Sequence, residues 1–217
     1  MFLMLRQLRP SPRIAMILLV SSLLGTLLIG YSLGYDSPTG TVYDFTVKDI
    51  DGNNVSMSKY KGMVLVIVNL ASECGLTDRN YKELTILQKE LGFRGFRVLG
   101  FPSDQFAGQE LETNEQIKTF ARETYSVNFD MFAKINVNGA NAEPLWRFLK
   151  ERQGGLIYDG IKWNFTKFIV DRNGIPVERY SPTSSPLSMK DSILKYLSRT
   201  TKPQSSNATN HNNNTEL

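Results

Sequence analysis

Val64-Leu65-Val66-Ile67-Val68-Asn69-Leu70 runs directly into Ala71-Ser72-Glu73-Cys74-Gly75-Leu76-Thr77, and the fold is decided in this stretch. The first half is apolar apart from Asn69 and rich in β-branched side chains, the composition of a strand buried on both faces. From Asp78 to Leu91 the apolar residues Tyr81, Leu84, Leu87 and Leu91 recur at helical spacing, which predicts a helix laid on that strand. Strand, short loop and helix together specify an α/β sheet. The loop between them carries Cys74, at the carboxyl end of a central strand, where open α/β sheets place their ligands.

Working outward, Val42 to Val47 and Asn53 to Met57 flank an Asp51-Gly52 turn and read as a hairpin. Phe96 to Phe101 reads as a second buried strand, Asn114 to Tyr125 as a helix capped by Thr113 or Asn114, and Phe132 to Val137 as a strand. Ala142 to Lys150 reads as a helix with Pro144 in its first turn. Phe168 to Val170 and Ile175 to Tyr180 form a hairpin around Asn173-Gly174, and Ser188 to Leu197 is the last helix. Strands alternating with helices and closing in a hairpin predict a mixed central sheet with helices on both faces, over residues 42–199.

The chain of 217 residues has 25 Lys+Arg against 21 Asp+Glu, one Cys and one His. A single Cys excludes an intrachain disulfide, a Cys-rich zinc site and a Cys-x-x-Cys pair. Neither a metal nor a bound cofactor is expected. His211 lies in an Asn-rich tail, which argues against Ser-His-Asp and Cys-His catalysis. The net charge of +4 is spread among acidic residues, and no nucleic-acid footprint results.

Residues 14–33 carry no charge, and a helix of that length matches the hydrocarbon thickness of a bilayer. With Arg6, Arg9 and Arg13 before it and no Lys or Arg after it until Lys48, the positive-inside rule predicts a cytosolic flank (1–13), a signal anchor (14–33), a linker (34–41) and a translocated domain. Cleavage near Ser32 or Gly34 would instead release a secreted protein. Residues 200–217 read as a disordered tail with sequons at Asn207 and Asn213, a third lying at Asn54. The terminal Glu216-Leu217 matches half of a Lys-Asp-Glu-Leu retrieval signal, so the expected location is the endoplasmic-reticulum membrane with a lumenal domain.

Cys74 just before a predicted helix gains from backbone amides that favour a thiolate over a thiol. The competing reading is an inert, buried small hydrophobe. Three blocks bear on the choice: Asn69 to Thr77, Phe101-Pro102-Ser103-Asp104-Gln105-Phe106-Ala107-Gly108-Gln109-Glu110, and Lys162-Trp163-Asn164-Phe165-Thr166-Lys167-Phe168. In this order they resemble the glutathione peroxidase family, and the likeness runs from about Val42 to Leu197. It is nearest to the phospholipid-hydroperoxide type in a membrane-anchored, secretory-pathway form.

The resemblance implies a thioredoxin-like fold and a site made of Cys74, Gln109, Trp163 and Asn164. Two carboxamides and an indole N–H are donors suited to holding a sulfur anion in place. Taken singly, Trp163 also reads as a core aromatic, Gln109 as a surface amide, and Asn164 as a turn residue or glycan acceptor. The chain departs from many relatives at Ser103, where they carry Cys, and at Asp104, where they carry Asn; its predicted helix 114–125 has no thiol. A basic pair after Tyr180 is absent, although Arg79 matches one basic position linked to glutathione. Gly154 to Gly160 lacks the longer insertion of tetrameric relatives, which implies a monomer. The expected activity is reduction of hydrogen peroxide and organic or lipid hydroperoxides through a Cys74 sulfenic acid. With no second Cys, an external thiol must resolve it, either glutathione or a lumenal dithiol protein such as a disulfide isomerase. The alternatives are a tethered redox sensor or disulfide-transfer adaptor without efficient turnover, and an idle binding module.

Overall fold

The computed structural model describes residues 40–155 and 158–199. In chain order it contains β1 (Thr46–Lys48), β2 (Asn54–Ser56), β3 (Val64–Leu70), α1 (Thr77–Leu91), β4 (Phe96–Pro102), α2 (Asn114–Tyr125), β5 (Asp130–Met131), α3 (Pro144–Arg152), β6 (Lys167–Val170), β7 (Pro176–Tyr180) and α4 (Lys190–Ser198). Strands β1 and β2 form a small antiparallel pair, and the other five make one sheet of order β5-β4-β3-β6-β7. Strand β3 runs parallel to β4 and antiparallel to β6, so the sheet is mixed.

Every residue of β3 is buried, and its side-chain alternation divides the core. Val64, Val66, Val68 and Leu70 join Tyr81, Leu84 and Leu87 of α1, Ile117 of α2 and Ile193 of α4 in one cluster. Leu65 and Ile67 point the other way and join Leu145, Trp146, Phe148 and Leu149 of α3. Helices thus cover both faces, which is why the strand reads as continuously apolar instead of alternating. This is the thioredoxin-like arrangement, with the carboxyl ends of β3 and β4 aligned at Leu70 and Pro102.

The helix over 114–125 falls where the sequence places it, because Thr113 and Gln116 form a reciprocal capping box. The strand expected over Phe132–Val137 is not formed: β5 ends at Met131, and Phe132 makes only an isolated bridge to Asp49. Beyond it the backbone N–H groups go to three different acceptors. Ala133 donates to Lys48 O (2.9 Å), Lys134 to Asn114 Oδ1 (2.8 Å) and Ile135 to Pro102 O (2.9 Å). No single strand can supply those partners, so this segment of strand length is a loop. Among the described residues no helix is long and apolar enough to cross a membrane. The expected flank, anchor and tail (1–13, 14–33 and 200–217) lie outside the described residues, as does the expected linker except for residues 40 and 41.

Lys167 opens β6 with no exposed surface, and its ammonium donates to Pro182 O (3.2 Å) and Ser184 O (2.7 Å). Burial pushes its pKa down to about 7, against the pull of Glu83 and with the help of Arg79. Because the folded value lies below the unfolded one, the unfolded chain binds more protons at pH values between the two. The stability contribution of Lys167 therefore rises with pH from about 7 towards about 10.5. The melting temperature of the wild type relative to Lys167→Met should accordingly climb between about pH 6.5 and about pH 9.5 in differential scanning fluorimetry. A constant difference would mean that the buried amine is not held neutral.

Candidate active site

The loop from Ala71 to Thr77 is wound by one threonine. Thr77 Oγ1 donates to Ala71 O (2.7 Å) and accepts from the Cys74 backbone N–H (3.1 Å), while the Thr77 N–H donates to Cys74 O (2.9 Å). These bonds place Cys74 immediately ahead of α1, and its thiol is free and 9% exposed. The neighbouring Glu73 N–H donates to Gln109 O (2.9 Å), which fastens the loop to a second segment. That segment arrives through Ala107 (φ 59°) and Gly108 (φ 61°), a left-handed pair that turns the chain back towards Cys74.

The third segment is held by Asn69, fully buried at the end of β3. Its Oδ1 accepts from Thr166 N–H (2.9 Å), its Nδ2 donates to Trp163 O (3.3 Å) and its carbonyl accepts from Phe165 N–H (2.8 Å). Phe165 has φ 64°, a conformation that a bulky residue rarely adopts, and these bonds together with complete burial of its ring hold it there. The kink leaves Asn164 buried and Trp163 38% exposed, its ring against that of Phe106 at 5.8 Å. Asn164 Nδ2 donates to Gln109 Oε1 at 3.0 Å. Asn164 Oδ1 is buried without a partner.

Gln109 and Asn164, far apart in sequence, are therefore in direct contact, and Gln109 is bonded to the residue before Cys74. With its oxygen taken by Asn164, the Gln109 amide offers its nitrogen as a donor. Trp163 is not a core aromatic, since its ring stays partly in solvent, and burial of Asn164 closes its sequon to a glycan. Arg79 lies exposed in the first turn of α1 and forms no ion pair among the described residues. A cleft of about 230 Å³ lined by Asp49, Tyr60, Lys118 and Arg122 contains none of these residues. Among the described residues no group of three or more His, Cys, Asp or Glu side chains is placed to hold a metal ion. Asn69 opens the first motif block, but the resemblance gives it no role there; its signal was present, as the one amide in an otherwise apolar strand.

A thioredoxin-like sheet with a cysteine at the strand-to-helix junction, its neighbour Glu73 bonded to the Gln109 segment, is the setting of a thiol-dependent oxidoreductase. The family profile "Glutathione peroxidase" matches residues 42–150. A Helianthus annuus protein named "Probable phospholipid hydroperoxide glutathione peroxidase" is 52% identical over 153 residues, covering 70% of this chain and 85% of the relative. A Schistosoma mansoni "Glutathione peroxidase" is 50% identical over 159 residues, covering 73% and 94% respectively. Among solved structures, GPX1 of T. cruzi superposes with a TM-score of 0.62 at 39% identity, covering 73% of this chain and 97% of that one. A thioredoxin-family thiol:disulfide interchange protein of Chlorobium tepidum, 18% identical with a TM-score of 0.55, covers 75% of this chain and 99% of its own, and shares the fold. The chain belongs to the glutathione peroxidase family, and its activity is thiol-dependent reduction of hydroperoxides.

Replacing Asn69 with Ala leaves the Thr166 N–H without its side-chain acceptor and takes from the Trp163 carbonyl one of its two side-chain donors, the Thr166 hydroxyl (3.2 Å) remaining. The expected cost is about 1–3 kcal/mol in urea unfolding, with a fall in peroxide turnover because the Trp163–Asn164 turn loses its hold. Unchanged unfolding and turnover would show that the turn holds its shape without this amide.

Proposed function

We propose that Cys74 is the peroxidatic nucleophile and that Gln109, Trp163 and Asn164 form its catalytic environment. The observation that carries this reading is the Asn164–Gln109 hydrogen bond (3.0 Å) beside the loop bearing the only thiol of the chain. The thiolate attacks one oxygen of the hydroperoxide, an S–O bond forms as the O–O bond breaks, and the departing alkoxide or hydroxide takes up a proton. Sulfur has then lost two electrons and stands as a sulfenic acid. One external thiol condenses with it, releasing water and leaving a mixed disulfide; a second thiol displaces Cys74 and carries away the oxidised pair. No bound cofactor or metal enters these steps.

The reductant in this reading is glutathione or a lumenal dithiol protein, with the exposed Arg79 guanidinium available to an anionic co-substrate. Substrates extend from hydrogen peroxide to organic and lipid hydroperoxides, supported by the exposed Trp163 ring beside the site and by the name of the Helianthus annuus relative. We place the protein as a monomer in the endoplasmic-reticulum membrane with its catalytic domain in the lumen, on the strength of the apolar run 14–33, its Arg flank and the sequons.

Turnover of hydrogen peroxide and of a phospholipid hydroperoxide, each with glutathione and with a dithiol protein, tests the chemistry. Cys74→Ser is expected to abolish consumption with every pair, and Gln109→Ala or Asn164→Ala to slow the peroxide step by about 10²-fold. Oxidation limited to one equivalent, without turnover under any reductant, would instead identify a sensor. In cells, a mass shift on endoglycosidase H treatment and protection from protease in intact microsomes are expected; an unshifted, protease-sensitive domain overturns the topology.

A further inference from the structure

Glu110 follows Gln109 directly, and its carboxyl is built into the loop that carries Cys74. The residue is 5% exposed, and its Oε1 accepts the backbone N–H groups of Ser72 (3.2 Å) and Leu111 (2.8 Å). Its own N–H donates to Asp104 Oδ1 (3.1 Å), so the carboxyl is fixed from its backbone end as well. Beside it, Glu73 N–H donates to Gln109 O (2.9 Å). Residues 109–110 are thereby joined to residues 72–73 by two bonds, one through backbone and one through the Glu110 side chain, and Cys74 is the next residue along. The second oxygen, Oε2, is buried without a partner, as are Ser72 Oγ and the Tyr81 hydroxyl. Burial raises the Glu110 carboxyl above its ordinary range against the opposing backbone hydrogen bonds from Ser72 and Leu111, and the nearby Glu110 adds to the burial that raises Tyr81.

A buried carboxyl with an idle oxygen is expensive to keep as mere filler. Its geometry accounts for it: one oxygen atom takes two N–H groups on two segments that carry different parts of the site. We propose that Glu110 is a positioning residue of the peroxidase site, its side-chain oxygen locking the nucleophile loop to the Gln109 segment so that Gln109 and Cys74 keep their mutual placement. This rests on the reading of Cys74 as nucleophile and Gln109 as its partner. The clamp needs an oxygen at that position and not a negative charge, so glutamine serves where alanine and the shorter aspartate do not.

The test uses the full chain and three variants, Glu110→Ala, Glu110→Gln and Glu110→Asp, with circular dichroism and thermal melts to confirm folding. Two rates are read on each: formation of the Cys74 sulfenic acid with hydrogen peroxide, and alkylation of Cys74 by iodoacetamide at a pH where the thiol is fully ionised, so that the second rate reports access to the sulfur and not its activation. For Glu110→Ala the peroxide rate is expected to fall about tenfold or more while alkylation changes less than about threefold, and Glu110→Gln to return the peroxide rate to within about threefold of wild type. If Glu110→Ala does not fold, Glu110→Asp carries the test, with the same split between the two rates expected. A folded Ala or Asp variant within about twofold of wild type overturns the proposal, as does Glu110→Gln reacting as slowly as Glu110→Ala. Peroxide consumption that survives in Cys74→Ser would instead remove the reading on which the proposal rests, so the two failures are distinct.

Discussion

Everything at the site hangs from the carboxyl end of β3, a strand buried on both faces and therefore fixed in position by two halves of the core at once. Three segments meet there. The Cys74 loop continues from the strand itself, the Gln109 segment is tied to that loop at Glu73, and the Trp163–Thr166 turn is gripped by Asn69. All three are loops or turns, and in isolation none has a reason to hold its shape. Anchoring them to one rigid strand, directly or through the Cys74 loop, turns residues with long separations in sequence into a defined constellation, which is the usual division of labour between scaffold and site.

The strain in this arrangement is local and compensated. Phe165 sits in a left-handed conformation that costs free energy for a side chain of its size, and Ala107 shares that conformation on the facing segment. The return for Phe165 is that its ring enters the core, edge-on to Tyr81 at 6.3 Å, while the preceding Asn164 turns to meet Gln109. A relaxed turn would present Asn164 to solvent. Tyr81 in turn stacks on Tyr125 at 4.9 Å, so α1 and α2 are coupled to the turn through aromatic packing.

Much of this was legible in the sequence, and the failures have particular causes. The unbroken run Val64–Leu70, the helical spacing from Tyr81 to Leu91 and the Thr113/Gln116 box each encode local structure in adjacent residues, and each reads directly. Phe132–Val137 misled because its apolar residues are buried against elements on several sides, so burial produced the pattern of a strand without a ladder. The site residues came from motif likeness; no spacing rule could show that Gln109 and Asn164 touch, because that contact depends on two left-handed turns and an asparagine in a third element. Asp104 illustrates the same limit. It departs from the family's usual Asn, yet the atom it supplies is an acceptor for Glu110 N–H, a role that either side chain fills.

Burial around Cys74 is lopsided, and this shapes how the cycle must run. Ser72, Ser103, Glu110 and Asn164 are closed from solvent, whereas Glu73, Gly75, Arg79 and Trp163 are open. Ser103, the position where many relatives carry a cysteine, is 1% exposed, and its N–H is bonded to Leu70 O at 3.1 Å. Ser103 is therefore closed to solvent, and the sequence supplies no second thiol. Under the proposed reading of Cys74 as nucleophile, hydroperoxide and reductant share the open positions next to it in the chain. On that reading the choice of reductant falls to exposed residues such as Arg79 and Trp163 and not to a second thiol of the sequence, which has one Cys.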